Sequence, residues 1–148
     1  MFTAKRSHNA FKPSMALLLL SAIGAAPLRA DDQEKIQGTW HATHAQIGTN
    51  VANAKQLKQI EVMIDGDKLT LVEPAKKYVV HFTLKPDAKD GDVDFYKDAG
   101  KKERIWHGIY AFDGKELKLC WAPAAHERPT KFGSNKHNDD RYFVVKKK

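Results

Sequence analysis

Apolar and polar residues alternate along most of this chain with the period of two that a half-buried β-strand requires, and no strong amphipathic helix interrupts the pattern. The clearest stretch is 104–122, RIWHGIYAFDGKELKLCWA, two alternating runs joined by Asp113-Gly114. Such a dipeptide between alternating runs is a strong hairpin signal. With Asp113 and Gly114 as the two turn residues, Phe112 pairs with Lys115, Tyr110 with Leu117, Gly108 with Leu119 and Trp106 with Trp121. One face then carries Trp106, Gly108, Tyr110, Phe112, Leu117, Leu119 and Trp121 and is read as interior. The other carries Ile105, His107, Ile109, Ala111, Glu116, Lys118, Cys120 and Ala122, with His107 directly opposite Cys120.

The same period predicts the other strands. Residues 34–47 read as a strand with Ile36, Gly38, Trp40, Ala42 and His44 on one face, and Trp40 is its only large apolar anchor. The polar stretch 49–58 reads as a loop with one helical turn, lying over an end of the sheet. Strands follow at 57–64, turning at Asp65-Gly66, at 68–72, and at 77–84, with Pro74 and Pro86 as stops. Ile60, Val62 and Ile64 share one face, as do Tyr78, Val80, Phe82 and Leu84. A short strand at 93–96 lies between charged turns at 86–92 and 97–103, and 141–145 is the last strand. Between them, 122–140 is the longest irregular stretch, with Pro123, Pro129 and a candidate short strand at 130–132; its length marks a functional loop or lid. About eight strands in meander order predict an all-β fold, an antiparallel up-and-down barrel whose first and last strands pair to remove exposed edges. A sandwich is the alternative.

The beginning of the chain departs from this pattern. Lys5, Arg6 and Lys12 precede an apolar run at 15–26, and Arg29-Ala30-Asp31-Asp32 then turns polar. Basic start, short apolar run and small residue before a polar stretch are the features of a secretory signal peptide, with cleavage expected after Ala30. A run of this length falls short of the roughly 20 residues that span a bilayer. The expected organisation is a signal peptide at 1–30 and one barrel domain at 31–148, exported to the periplasm or outside the cell, with no transmembrane segment once the signal is removed. The 148-residue chain carries a net charge of +7, but four of its 25 basic residues lie in the leader; 21 against 18 acids leaves the mature part near +3. The basicity is therefore partly an export signal, and a nucleic-acid partner is not expected. Cys120 is the only cysteine, which excludes an intramolecular disulfide.

Gly38-Thr39-Trp40 at the start of such a meander resembles the Gly-x-Trp of lipocalins, in which the first-strand Trp closes the barrel's bottom and packs against an Arg near the chain's end. More widely, Ile36-Gln37-Gly38-Thr39-Trp40, the stretch 66–70 (GDKLT), Phe82-Thr83-Leu84, Gly108-Ile109-Tyr110 with Asp113-Gly114, the stretch 117–120 (LKLC), and Glu127-Arg128-Pro129-Thr130 with Phe132 resemble an uncharacterised lipocalin-like domain family expanded in planctomycetes. The resemblance runs in order through essentially all of 31–148. It implies a fold and an exported setting, and no reaction. The second and third lipocalin motifs and the helix that usually follows the barrel are not evident, so no lipocalin ligand transfers. Gly38, Trp40 and either Arg128 or Arg141 are the implied barrel-closing residues, with Arg128 favoured because it lies in the family's own motif.

Candidate chemistry is sparse. A His107-activated Cys120 thiolate is one arrangement, set against a small, packed, inert cysteine. Six histidines follow the leader, at 41, 44, 81, 107, 126 and 137; His41 and His44 are three apart, which on a strand puts them on opposite faces, and His126 and His137 meet only if the long loop folds back. The acids at 87, 90, 92 and 94 are read as turn formers, and no phosphate loop, serine elbow or catalytic carboxylate pair is legible. No enzyme, cofactor or metal site is expected. What remains is the interior, where Trp106, Gly108, Tyr110, Leu119, Trp121, Tyr78 and Phe82 are the expected lining of a pocket for a small apolar or aromatic ligand. The rival expectation is a filled core in an envelope module that works through 122–140 and has a protein partner not identified by the sequence.

Overall fold

In the computed structural model the described residues are 28–86 and 90–148. The apolar run at 15–26 and Asp87 lie outside them. A short helix, α1 (Leu28–Lys35), leads into β1 (Gly38–Ile47), β2 (Asn50–Val51), the single turn α2 (Ala54–Leu57), β3 (Glu61–Asp65), β4 (Lys68–Val72), β5 (Lys77–Lys85), β6 (Gly91–Tyr96), β7 (Arg104–Asp113), β8 (Glu116–Pro123) and β9 (Arg141–Lys147). Strands β1 and β3 to β9 pair antiparallel with their sequence neighbours, and β9 returns to β1, so eight strands close an up-and-down barrel with β2 appended to β1. The closing ladder runs from Trp40 opposite Lys147 to Ile47 opposite Arg141. No helix among the described residues is long and apolar enough to cross a membrane.

The 104–122 hairpin forms two residues away from the expected register. Asp113 pairs with Glu116, Phe112 with Leu117, Tyr110 with Leu119, Gly108 with Trp121 and Trp106 with Pro123. The turn is therefore Gly114-Lys115, because the left-handed backbone falls at its first position, where Gly114 has φ +59°. Only glycine takes that conformation without steric cost, and a positive φ at the first turn residue alone is the type II′ pattern. Gly66, φ +62°, begins the β3–β4 turn in the same way. A slip of two residues keeps every side chain on its face, so Tyr110, Leu117, Leu119 and Trp121 are buried as expected. It changes the cross-strand partners: Cys120 sits opposite Ile109, and His107 opposite Ala122.

A bulge at Thr43 corrects the first strand. Ala42 pairs with Val145 and His44 with Val144, so Thr43 is the extra residue. Trp40 and Ala42 point inward as the alternation requires, then the phase flips; Ala45 is buried, while the His44 ring lies 5.2 Å from that of Tyr142. The polar stretch after β1 contains the helical turn expected of it, α2, closed by a capping box in which Asn53 and Gln56 bond each other's backbone.

The two ends of the barrel differ. At the closed end α1 lies beneath the strands, with Ile36 buried in the core and Tyr110 donating its hydroxyl to the Asp32 carboxylate at 2.7 Å. At the mouth stand the β1–β2 turn, α2, the 73–76 turn between β4 and β5, and the start of β9. The stretch 124–140 forms no strand at 130–132; it crosses the outside of the wall, where Gln46 and the Gly48 amide hydrogen-bond to Ser134. Beneath it His107, Ile109, Cys120 and Ala122, expected on an outer face, are buried. The wall here has apolar cover on both sides, which alternation within a strand cannot report.

Candidate functional site

The residues expected to line a pocket fill the interior instead. Trp121 stacks on Phe143 with centroids 5.1 Å apart and planes 12° apart; Phe95 meets Trp121 at 5.6 Å; and Trp106 lies edge-on to Tyr78 at 5.8 Å. Phe82, Tyr110 and Leu119 are buried in the same cluster. Gly108 leaves no gap: a Cβ there would lie 2.1 Å from the Cys120 carbonyl oxygen and 2.7 Å from the Trp121 Cβ, because β8 passes close against it. An eight-stranded barrel lined with rings of this size is filled by its own side chains. Trp121 Nε1 is buried in this core without an acceptor among the described residues, at a cost of about 1 to 3 kcal/mol.

The barrel's open space is at its mouth. A cleft of about 450 Å³ is bounded by the end of β1, β2, α2, the 73–76 turn and the start of β9. Ala45, Ile47, Val51, Ala52, Ile60 and Phe143 give it apolar walls. Of the seven expected pocket residues only Tyr78 reaches it, through Arg141, whose guanidinium carbon lies 5.1 Å from the Tyr78 ring centroid. Arg141 also donates through Nη1 to Glu73 at 3.2 Å and through Nη2 to the Tyr78 hydroxyl at 3.3 Å. Most of the cleft's apolar walls come from small or β-branched residues at element ends, where periodicity carries no signal for a shared site.

The expected barrel-closing pair is corrected in its second member. Trp40 is buried at the closed end and donates Nε1–H to the Ile36 carbonyl at 2.9 Å. The cation over its ring is Lys147, with Nζ 5.2 Å from the centroid, because the closing ladder sets Lys147 opposite Trp40. Arg141 sits at the far end of the same ladder. Gly38, φ +114°, starts β1 beside the Lys147 side chain. Arg128 is on the outer wall, where it bonds the Val93 and Gly108 carbonyls and meets the buried Asp94 carboxylate at 2.6 Å.

The long loop also decides the cysteine and histidine readings. Cys120 is fully buried, donates to the Gly133 carbonyl at 3.4 Å, and has its thiol pushed up to about 11 by burial. His107 donates through Nε2 to the His126 carbonyl at 2.7 Å and is not paired with Cys120. That arrangement keeps the sulfur protonated and covered, the opposite of what a nucleophile needs. His126 and His137 do come together, around a hollow of about 350 Å³ that also receives Asp139 and Asp140. Among the described residues, no three His, Cys, Asp or Glu side chains converge as a metal-holding set. Burial raises the Asp140 carboxyl, and the nearby His126 opposes that shift.

Compared with protein-family models, with curated proteins and with solved structures, the chain matches none.

Proposed function

We propose that this chain is an exported, non-catalytic binding domain of the lipocalin-like kind, and that it takes a small apolar or aromatic ligand in the mouth cleft, above a solid core. The cleft is the observation that carries this reading. Its size falls in the usual range for small-molecule sites, and apolar walls with a few polar groups at one side are the usual composition of such sites. The Gly38-Thr39-Trp40 start and the sequence features of 1–30 support the lipocalin-like and exported parts. The contacts from α1 to the barrel come from Asp32 and Gln33, beyond the expected cleavage point, so a mature chain starting at Asp31 keeps them. The buried, protonated Cys120 supports a non-catalytic role.

Native mass spectrometry of the protein purified from its own host tests this reading. The expected result is a mass starting near Asp31 and a retained organic molecule that Ala52→Trp, which fills the cleft, expels. A mass retaining residues 15–26 would sink the export reading, and bound zinc or copper would replace the carrier by a metal protein. The rival reading, an envelope interaction module, is favoured by the filled core. It expects a bare protein that co-purifies with a partner and loses that partner when the surface of 124–140 is changed.

A further inference from the structure

Resting on the mouth cleft as the binding site, the geometry points to an organic anion as its ligand: a carboxylate on an apolar body, with the carboxylate held by Arg141 and the body against Tyr78, Phe143 and the walls around Ala45 and Val51. The polar side of the cleft carries two cations, Lys76 and Arg141, against one anion, Glu73. An arginine set among apolar walls is costly unless its donors are used. Guanidinium has five N–H donors in a planar fork made for two-point binding of a carboxylate.

Arg141 uses that fork poorly. Its contact with Glu73 is through one nitrogen at 3.2 Å, and its bond to the Tyr78 hydroxyl is 3.3 Å, whereas charge-assisted pairs commonly close to about 2.7 to 2.9 Å. No other side-chain acceptor engages it among the described residues, and the group keeps about a quarter of its surface open. Glu73 belongs to the 73–76 turn, not to the wall, so it can leave without unpairing a strand. Glu73 is thus a resident competitor. A ligand carboxylate that takes both faces of the fork replaces a single long contact by two short ones, and its apolar body covers surface that Glu73 leaves wet.

Isothermal titration of the mature protein with octanoate and with 1-octanol tests this. Octanoate is expected to bind at least 10-fold more tightly than the alcohol of the same length. Glu73→Gln removes the competitor, so it should tighten octanoate several-fold and leave octanol unchanged. Arg141→Met should abolish the preference. Should Arg141→Met not fold, the wild-type preference and the opposite-signed Glu73→Gln effect still decide. Equal affinities for acid and alcohol, or an octanoate affinity that Glu73→Gln weakens, would overturn the anion assignment while leaving the cleft as a site for neutral ligands. No binding of either compound, with or without Ala52→Trp, would overturn the cleft itself.

Discussion

Arg128 and Asp94, 34 residues apart, join the long loop to the barrel wall through a 2.6 Å contact from Nη2 to a carboxylate that is 1% exposed. Lys85 reaches the other carboxylate oxygen at 2.8 Å, and Arg104 stands 3.7 Å away. Asp94 faces outward in the alternation of β6, so the loop covers it only because it arrives with a cation. Burial raises the Asp94 carboxyl, but the bonds from Lys85 and Arg128 outweigh burial and hold it below 3.8.

Arg128→Met should therefore destabilise the fold toward the low end of the roughly 3 to 5 kcal/mol typical of a broken buried pair, since Lys85 remains on the carboxylate. Denaturant unfolding measures this. Because the folded value is depressed, the contribution of Asp94 is present above pH 3.8 and is lost as pH falls through the lower folded value. In Asp94→Asn that acid-side loss should be smaller than in the wild type.

Trp40 and Lys147 separate packing from charge at the closed end. Trp40→Ala removes a buried aromatic and should cost on the order of 3 to 5 kcal/mol. Lys147→Met keeps the stem over the ring and should cost no more than about 1 kcal/mol. Equal losses in thermal unfolding would mean that the cation, not the burial, holds this end.

Gly91 and Tyr110 are coupled by space. A Cβ at Gly91 would lie 2.4 Å from the Tyr110 ring, so Gly91→Ala should cost about 1 to 3 kcal/mol from overpacking. In Tyr110→Leu the ring is gone, and the same alanine should cost markedly less. Additive losses in the double-mutant cycle would contradict the close approach.

Cys120 should be nearly inert while the loop is in place. With the thiol at about 11 instead of 9.0, its thiolate population near pH 8 falls about 100-fold, and burial slows attack further. Iodoacetamide labelling before and after unfolding checks this. The raised folded value stabilises the fold below pH 9.0, and that contribution is lost as pH rises toward 11. In Cys120→Ala that alkaline-side loss should be smaller.

What the sequence by itself determined is what depends on neighbours along the chain. Alternation assigned the inward faces of β3, β5, β7 and β8, glycine placed the hairpin turns, and the meander order with the need to hide edges led to a closed barrel. Even the two-residue error at Gly114 left those faces intact, because side chains repeat every second residue. Tertiary structure decided what depends on residues far apart. Whether the interior held a pocket was set by the fit of Trp106, Trp121, Phe95 and Phe143 against one another, and composition cannot measure that fit. The bulge at Thr43 was settled by pairing with β9, and the choice of Lys147 over Trp40 by the same ladder. The burial of Cys120 and Asp94 required 124–140 to fold onto the outer wall, while the mouth cleft collects short pieces of five elements. Local periodicity reports the direction in which a side chain points; only the closed barrel and its overlying loop fix what that side chain meets.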